Sequence, residues 1–446
     1  MSINKEDLSK FDNQYNRDSL TGLPDRDSFF QLGQSLFSQL KETSSKAAIL
    51  AIEFDSVRHV AQNLGYIEAG SVLKQVGERL QKIIPQNGRL GKTHPEFAIL
   101  IWDLVDEKEA LILGKKIISS LSKPFFVNHH KFYLYCNIGV CVHPDEHMYT
   151  KDFNEIIRQV ESALPRESDG FRNKVRMFTA SISEKIKREE KIDSEIRNAI
   201  QNNELSVYYQ PRVVLISGEI TGAEALLRWK SPALGEVDPN EFIPVLERTG
   251  HIHEITEWVL KEACSEALWW KENLGSELVI SVNFSPHSFD TTNLPEIVHG
   301  ILDETGLPPE ILEVEITESL LLQDFNKVKT TLSQFNEMGI KISLDDFGTG
   351  YSSLNYLTQL PLNSIKIDRS FVTGLPDSNI SNSIARTIAT LSKSLGFRSI
   401  AEGMENHDQV ISLKVLDYDI GQGFYFSKPL SAKDFRALLG LKKTLP

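Results

Sequence analysis

The sequence predicts an α/β chain in two parts, a sheet-and-helix domain followed by a closed (β/α)8 barrel. Three observations carry this. In the second half, eight apolar, β-branched-rich runs recur, spaced by amphipathic helical stretches, and eight such runs in about 250 residues fit a closed barrel better than an open sheet. In the first half, strands and helices mix in an order that suits a sheet with helices packed against it. Between the two lies SISEKIKREEKIDSEIRNAIQNNEL (181–205), charged and apolar at helical spacing with neither Pro nor Gly, which reads as a helix joining two domains.

In chain order, AAILAIEF (47–54) reads as a strand, Val57 to Ile84 as an amphipathic helical stretch, EFAILIW (96–102) as a strand, Glu107 to Leu121 as a helix and KFYLYCNIGVCV (131–142) as a strand. These give a polar N-terminal segment over 1–17, a first domain over 18–180, a helical linker over 181–203 and a barrel over 204–446. The barrel runs are LSVYYQ (205–210), EALLRW (224–229), LVISVNFS (278–285), LEVEIT (312–317), IKISLDDF (340–347), SIKIDRSF (364–371), RSIAEGM (398–404) and DIGQGFYF (419–426). Helices such as Lys327 to Met338 and Ser381 to Leu395 separate them, so the strands are expected to be mostly parallel.

Composition narrows the function. With 446 residues and 41% hydrophobic content, each domain has enough apolar material for its own core. Sixty-one acidic against 48 basic residues leave a formal charge of −13, which repels polyanions and argues against a sequence-independent grip on duplex nucleic acid. A phosphate-ester ligand would need metal ions to supply the positive charge. The start MSINKEDLSKFDNQYNRDSL is polar and lacks an apolar signal region, and no stretch approaches the roughly 18 uninterrupted apolar residues of a membrane span, so a cytoplasmic protein is expected. Cys136, Cys141 and Cys264 form no Cys-x-x-Cys pair, which argues against a disulfide scaffold or a thiolate zinc site and makes them reduced, buried fillers.

Within the barrel runs, groups able to bind metal or move protons interrupt the apolar stretch: Glu224, Asn283, Glu315, the pair Asp345 and Asp346, Lys366, Glu402 and Gln422. Active sites of such barrels collect at the C-terminal strand ends, where these residues would converge. A lone strand carboxylate is more often salt-bridged, but several buried together without cations would cost several kcal/mol each. All-oxygen ligation without His or Cys selects Mg²⁺ or Mn²⁺ over Zn²⁺. Asp345 and Asp346 could serve two ions with Asp345 bridging, the usual apparatus for in-line phosphodiester cleavage. Lys366 could then orient the attacking water or hold a phosphate oxygen, its bland reading being a strand-end lysine that neutralises Asp368. The following DDFGTGYSSLNYL is a Gly-rich loop in which Gly348 and Gly350 permit rearrangement on ligand or metal binding.

These residues sit in an ordered set of motifs. YYQP, GAEALLRW with Glu224-Ala225-Leu226, VNFSP, EITES, DDFGTGYSS, KIDRSF, AEGMEN and QGFYFSKP resemble an EAL domain, the cyclic di-GMP phosphodiesterase family, over about residues 190 to 440. The resemblance implies a modified barrel whose first strand runs antiparallel, and hydrolysis of one phosphodiester of cyclic di-GMP to linear pGpG. It implies that Glu224, Asn283, Glu315 and Asp345 bind one metal while Asp345, Asp346 and Glu402 surround the second. Lys366 would contact the nucleophilic water and Gln422 would support the site. Glu318 resembles the anchor of the loop after Asp346, and Gln210, Leu226 and Arg228 resemble substrate contacts, Arg228 offering a bidentate fork to phosphate. Pairing through the barrels into a homodimer is also implied.

The first domain resembles a GGDEF domain, the diguanylate cyclase fold, through DSLTGLPDR (18–26) and NIGVCVHP (137–144). Its signature has decayed. Thr93-His94-Pro95-Glu96-Phe97 stands where the family has Gly-Gly-Asp-Glu-Phe, which removes the glycines that admit a triphosphate and replaces a metal-binding acid with proline. Glu53 and Asp55 are retained, but Ala61 and Gln62 replace guanine contacts, Ile84 and Asn87 replace the inhibitory-site residues, and Pro165 and Ser168 replace the usual tyrosine and lysine. An inactive, regulatory domain is expected. The leading reading is therefore a metal-dependent cyclic di-GMP phosphodiesterase. A receptor that binds the dinucleotide without cutting it and signals to a partner is the alternative, and retention of Glu224, Asp345, Asp346, Lys366 and Glu402 favours the enzyme. A barrel using Mg²⁺ and Lys366 for proton abstraction is a distant third that leaves the first half unexplained.

Overall fold

The computed structural model describes residues 16–40, 46–54, 66–93, 97–127, 130–144, 152–165, 173–291, 293–322, 324–348, 357–441 and 444–445. The chain divides into two compact units, Met1–Glu190 and Lys191–Pro446. Asp55, Ala61, Gln62, His94, Pro95, Glu96, Ser168 and Gly350 lie outside the described residues.

The first unit is built on β1 (Lys46–Phe54), β2 (Gly88–Lys92), β3 (Phe97–Leu104), a hairpin of β4 (Phe125–Val127) and β5 (His130–Phe132), β6 (Cys136–His143) and β7 (Val175–Met177). The main sheet has the order β2-β3-β1-β6-β7, antiparallel except for the β6–β7 pair. Strand alternation divides β1 between two cores. Ala48, Leu50 and Ile52 belong to one with Val72, Val76 and Ile117, while Ala47, Ile49 and Ala51 belong to the other with Phe29, Leu36 and Ile156. Helices therefore cover both faces. Gly139 on β6 is required by this closeness, since a Cβ there would lie 2.2 Å from the carbonyl oxygen of Val160. The run read as one strand over 131–142 is two, β5 and β6.

The helix expected over 181–205 spans Ala180–Ile196, and the unit boundary falls within it. Ile182 packs on the first unit's core, whereas Ile192 and Ile196 belong to the core of the second. The helix stops at Ile196, and residues 197–203 run in turns before the strand, with Asn203 at φ 56°. Asn accepts this left-handed geometry and favours turns over helix interiors.

The second unit is the barrel: β8 (Leu205–Val214), β9 (Ile220–Ser231), the outlying β10 (Gly235–Val237), β11 (Val279–Phe284), β12 (Leu312–Thr317), β13 (Lys341–Phe347), β14 (Ser364–Ile367), β15 (Arg398–Ala401), β16 (Ile420–Gly421) and the short β17 (Leu430–Ser431). Pairing runs β9-β11-β12-β13-β14-β15-β16-β8 and closes through β8–β9, with one strand from each of the eight apolar runs. β9 and the strands from β11 to β16 are parallel, with the outlying β10 antiparallel to β9, but β8 is antiparallel to both its barrel neighbours. This departs from the parallel pattern of the runs and has a simple cause. Only residues 215–219 join β8 to β9, through a turn with Gly218 at φ 75°, whereas a parallel crossover needs about a dozen residues.

The expected helices carry capping groups at their ends. Phe325–Glu337 starts where the Asp324 side chain accepts from the Lys327 N–H, and Asn379–Leu395 begins at Ser378 and stops at the left-handed Gly396. Among the described residues no helix is long and apolar enough to cross a membrane.

All three cysteines are buried, and burial pushes the Cys136 and Cys264 thiols up to about 12. Native protein at pH 8 is expected to react with a thiol reagent at least about 100-fold more slowly than denatured protein, which should titrate three thiols; fast native labelling would contradict this burial.

Candidate active site

The parallel strands end at one mouth of the barrel, and alternation brings one polar side chain per strand into it. Glu224 lies on β9, Asn283 on β11, Glu315 on β12, Asp345 on β13 and Lys366 on β14, with Glu402 following β15 and Gln422 following β16. Lys366, 0% exposed, occupies the centre. Its Nζ lies 2.5 Å from Glu315 Oε2, 3.0 Å from Asp345 Oδ2 and 3.9 Å from Glu224 Oε2, and it pairs with Glu402.

Glu224 is held by amides. Asn283 donates Nδ2 to Glu224 Oε1 at 2.6 Å, and Gln422 donates Nε2 to Glu224 Oε2 at 2.5 Å and to Gln210 Oε1 at 3.1 Å. Gln210 is the register partner of Glu224 across the β8–β9 pair. Asn283 spends its N–H on Glu224, so the ligand it can offer a cation is its amide oxygen.

The remaining predicted residues lie around this cluster. Asp346 has φ 55°, a left-handed conformation that Asp tolerates at a cost, and its N–H donates to Asp345 Oδ1 at 2.7 Å. Glu318 Oε2 accepts from the Gly348 N–H at 3.1 Å, beside the start of the glycine-rich loop. Leu226 and Arg228 follow Glu224 on the same face of β9 at strand spacing and are not drawn into the cluster; Arg228 is half-buried and donates to the Leu227 carbonyl at 2.8 Å.

Residues 193–429 match the family model for the EAL domain, just over half of the chain. The chain belongs to the EAL family. Residues 15–174 match the diguanylate cyclase, GGDEF domain model, so the chain is a GGDEF–EAL tandem. The cyclic di-GMP phosphodiesterase NbdA of Pseudomonas aeruginosa is 29% identical over 93% of this chain and 52% of its own length. The solved PaMucR phosphodiesterase, a c-di-GMP complex, is 37% identical with TM-score 0.53, covering 55% of this chain and 99% of that one. The GGDEF–EAL structure of Vibrio cholerae LapD, 17% identical with TM-score 0.60 over 94% of this chain and 98% of that one, is alike in fold. The chain spans about half the length of the first curated relatives it matches.

Below the mouth of the EAL barrel lies a second polar layer that the strand-end reading missed. Arg212 on β8 is fully enclosed; its Nη1 donates to Ser281 Oγ at 2.5 Å and pairs with Glu313, its Nη2 pairs with Glu315, and its Nε donates to Gln422 Oε1 at 3.2 Å. Glu313 also accepts from Ser281 Oγ at 2.9 Å and Ser364 Oγ at 3.2 Å. The signal was present in LEVEIT, where Glu313 and Glu315 stand two apart on a strand and must share a face.

The donor set fits divalent cations. Glu224, Glu315 and Glu402 each offer an oxygen, all within 4.8 Å of one another. Six carboxylates, Glu224, Glu313, Glu315, Asp345, Asp346 and Glu402, lie around two buried cations, Arg212 and Lys366, a formal surplus of four negative charges that two divalent ions would balance. The acids divide accordingly. Burial opposes ionisation of Glu224, but Lys366 and Arg212 hold it below the usual carboxylate range. Burial and then Asp345 push Glu402 up to about 8 and Asp346 up to about 6.

The sign of the linkage follows. With both acids raised, their contribution to the stability of cation-free protein is complete below the ordinary carboxylate pKa and is lost as pH rises through about 6 and about 8. Cations held by these carboxylates would have to displace their protons, so binding there is expected to strengthen as pH rises. The melting-temperature gain on adding Mg²⁺ is expected to be larger at pH 8 than at pH 6 by about 2–4 °C per kcal/mol of added affinity. An equal gain at both pH values would contradict the shifts.

Proposed function

We propose that the barrel hydrolyses one phosphodiester of cyclic di-GMP to linear pGpG with two divalent cations, Mg²⁺ or Mn²⁺. The observation that carries this reading is the surplus of four negative charges at the strand ends, in an all-oxygen donor set. The likeness to the cyclic di-GMP phosphodiesterase NbdA and to the PaMucR phosphodiesterase supports it. Glu224, Asn283, Glu315 and Asp345 would hold one ion, and Asp345, Asp346 and Glu402 the other. Such a pair supplies an activated water and charge neutralisation at the attacked phosphorus.

The chain's own groups then have distinct tasks. Lys366 sets the spacing of Glu315, Asp345 and Glu402 and can direct an ammonium N–H to the attacking water. Gln210, Leu226 and Arg228 line the β8–β9 side next to Glu224, where the dinucleotide would lie, with Arg228 forking to a phosphate. Gln422 fixes the orientation of Glu224, and Glu318 tethers the loop at Gly348. The GGDEF domain is read as inactive because its signature is Thr93-His94-Pro95-Glu96-Phe97. Two copies would pair through their barrels. The three buried cysteine thiols suit a reducing, cytoplasmic setting.

The deciding experiment incubates the chain with cyclic di-GMP and Mg²⁺ or Mn²⁺ and follows pGpG by chromatography. Product formation abolished by a chelator is expected; tight binding with no pGpG would instead assign a receptor. Glu224→Ala and Asp345→Ala are each expected to lower kcat by about 100-fold or more, whereas Thr93→Ala and Pro95→Ala should leave it within about twofold. Near-normal turnover in Glu224→Ala would remove Glu224 from the cation site. Lys366→Ala should lower kcat more than substrate affinity, and the reverse would make Lys366 a phosphate-holding group.

A further inference from the structure

The buried guanidinium of Arg212 is more than the proposed chemistry requires. A buried ion pair is poor evidence of stability, because apolar side chains of similar volume often serve as well, and Lys366 already gives the upper layer a cation of its own. What distinguishes Arg212 is the planar fork, whose donors leave in fixed directions. One edge meets Ser281 and Glu313, another meets Glu315, and Nε meets Gln422 Oε1 at 3.2 Å. That last contact decides which way the Gln422 amide points. With Oε1 engaged by Arg212, Nε2 must face Glu224 and Gln210, and it donates to both at 2.5 and 3.1 Å. A flipped amide would set an oxygen against the Glu224 carboxylate.

We propose that Arg212 is a positioning residue for the cation-binding carboxylates, orienting Glu315 directly and Glu224 through the Gln422 amide. It touches neither substrate nor reacting atoms. The inference rests on the metal-dependent reading above, and it assigns the lower polar layer the task of pre-setting the upper one. Partners of this kind beneath ligands typically change metal affinity or activity by about 10- to 100-fold when removed.

The test uses the full chain and Mn²⁺ alone, with affinity measured by titration calorimetry beside thermal melting. R212M/E313Q removes one positive and one negative charge together, so the net formal charge of the site is unchanged while the fork that orients Glu315 and Gln422 is lost. Its Mn²⁺ affinity is expected to fall by about 10- to 100-fold, and its kcat to fall more than its KM rises. R212K keeps the charge but not the fork. It is expected to fold like wild type yet bind Mn²⁺ more weakly, and it decides the matter if the double variant does not fold. Wild-type Mn²⁺ affinity in a folded R212M/E313Q or R212K protein would overturn the proposal. Mn²⁺ binding by the wild type without pGpG formation would overturn the enzymatic reading instead, and the affinities of the variants would still decide the role of Arg212.

Discussion

The structure of the barrel mouth depends on a concentration of negative charge that its own cations only partly neutralise. Carboxylates from β9, β12 and β13 and the residue after β15 surround one lysine with no solvent exposure. Taking any of these acids out of water alone would cost several kcal/mol, so the ring persists only because each has a cationic or amide partner within reach. The residual imbalance falls on the acids with the poorest compensation, Glu402 and Asp346, which are the two pushed upward. A site with surplus acid at fixed positions is organised to receive cations, and the stability it forgoes without them is the source of its affinity for them.

Strand geometry turns this electrostatic demand into two tiers. Side chains two residues apart share a face, so β11 presents Ser281 and Asn283, β12 presents Glu313 and Glu315, and β14 presents Ser364 and Lys366 at successive depths. On β8 the order is reversed. Because that strand runs the other way, Gln210 lies level with Glu224 while Arg212, later in the chain, lies level with Gly222 and therefore deeper. The reversal delivers a guanidinium below the acids, and the same strand supplies an amide beside them.

That reversal also marks the limit of what the sequence made legible. Each of the eight apolar runs contains a barrel strand, because burial on both faces leaves an unmistakable composition. Hydrophobicity does not encode strand direction, however; the short connection over 215–219 does, and it was the cue to the antiparallel start. Polar residues at strand ends stood out, while Arg212 and Glu313 were hidden inside runs dominated by their apolar neighbours. The linker helix was legible from its spacing, but the turns over 197–203 that follow its end at Ile196, with the left-handed Asn203 among them, contain neither Pro nor Gly and so gave no cue.

The end of β13 and Gly348 join these elements at one point. β13 ends with Asp345 in the cluster and Asp346 in a left-handed conformation, and Gly348 follows at φ 100°, where a Cβ would come 3.1 Å from the Phe371 ring. Two left-handed residues so close together turn the chain sharply as it leaves the strand, and glycine fits the second both conformationally and sterically. The Glu318 carboxylate takes the Gly348 N–H, so the turn is tied to the residue just after β12, the strand that carries Glu315. Displacement of either strand end would therefore alter the placement of Asp345 and Asp346 together. The start of the turn at Gly348 and the strand end that carries Glu315 are thus tied by the bond from the Gly348 N–H to the Glu318 carboxylate.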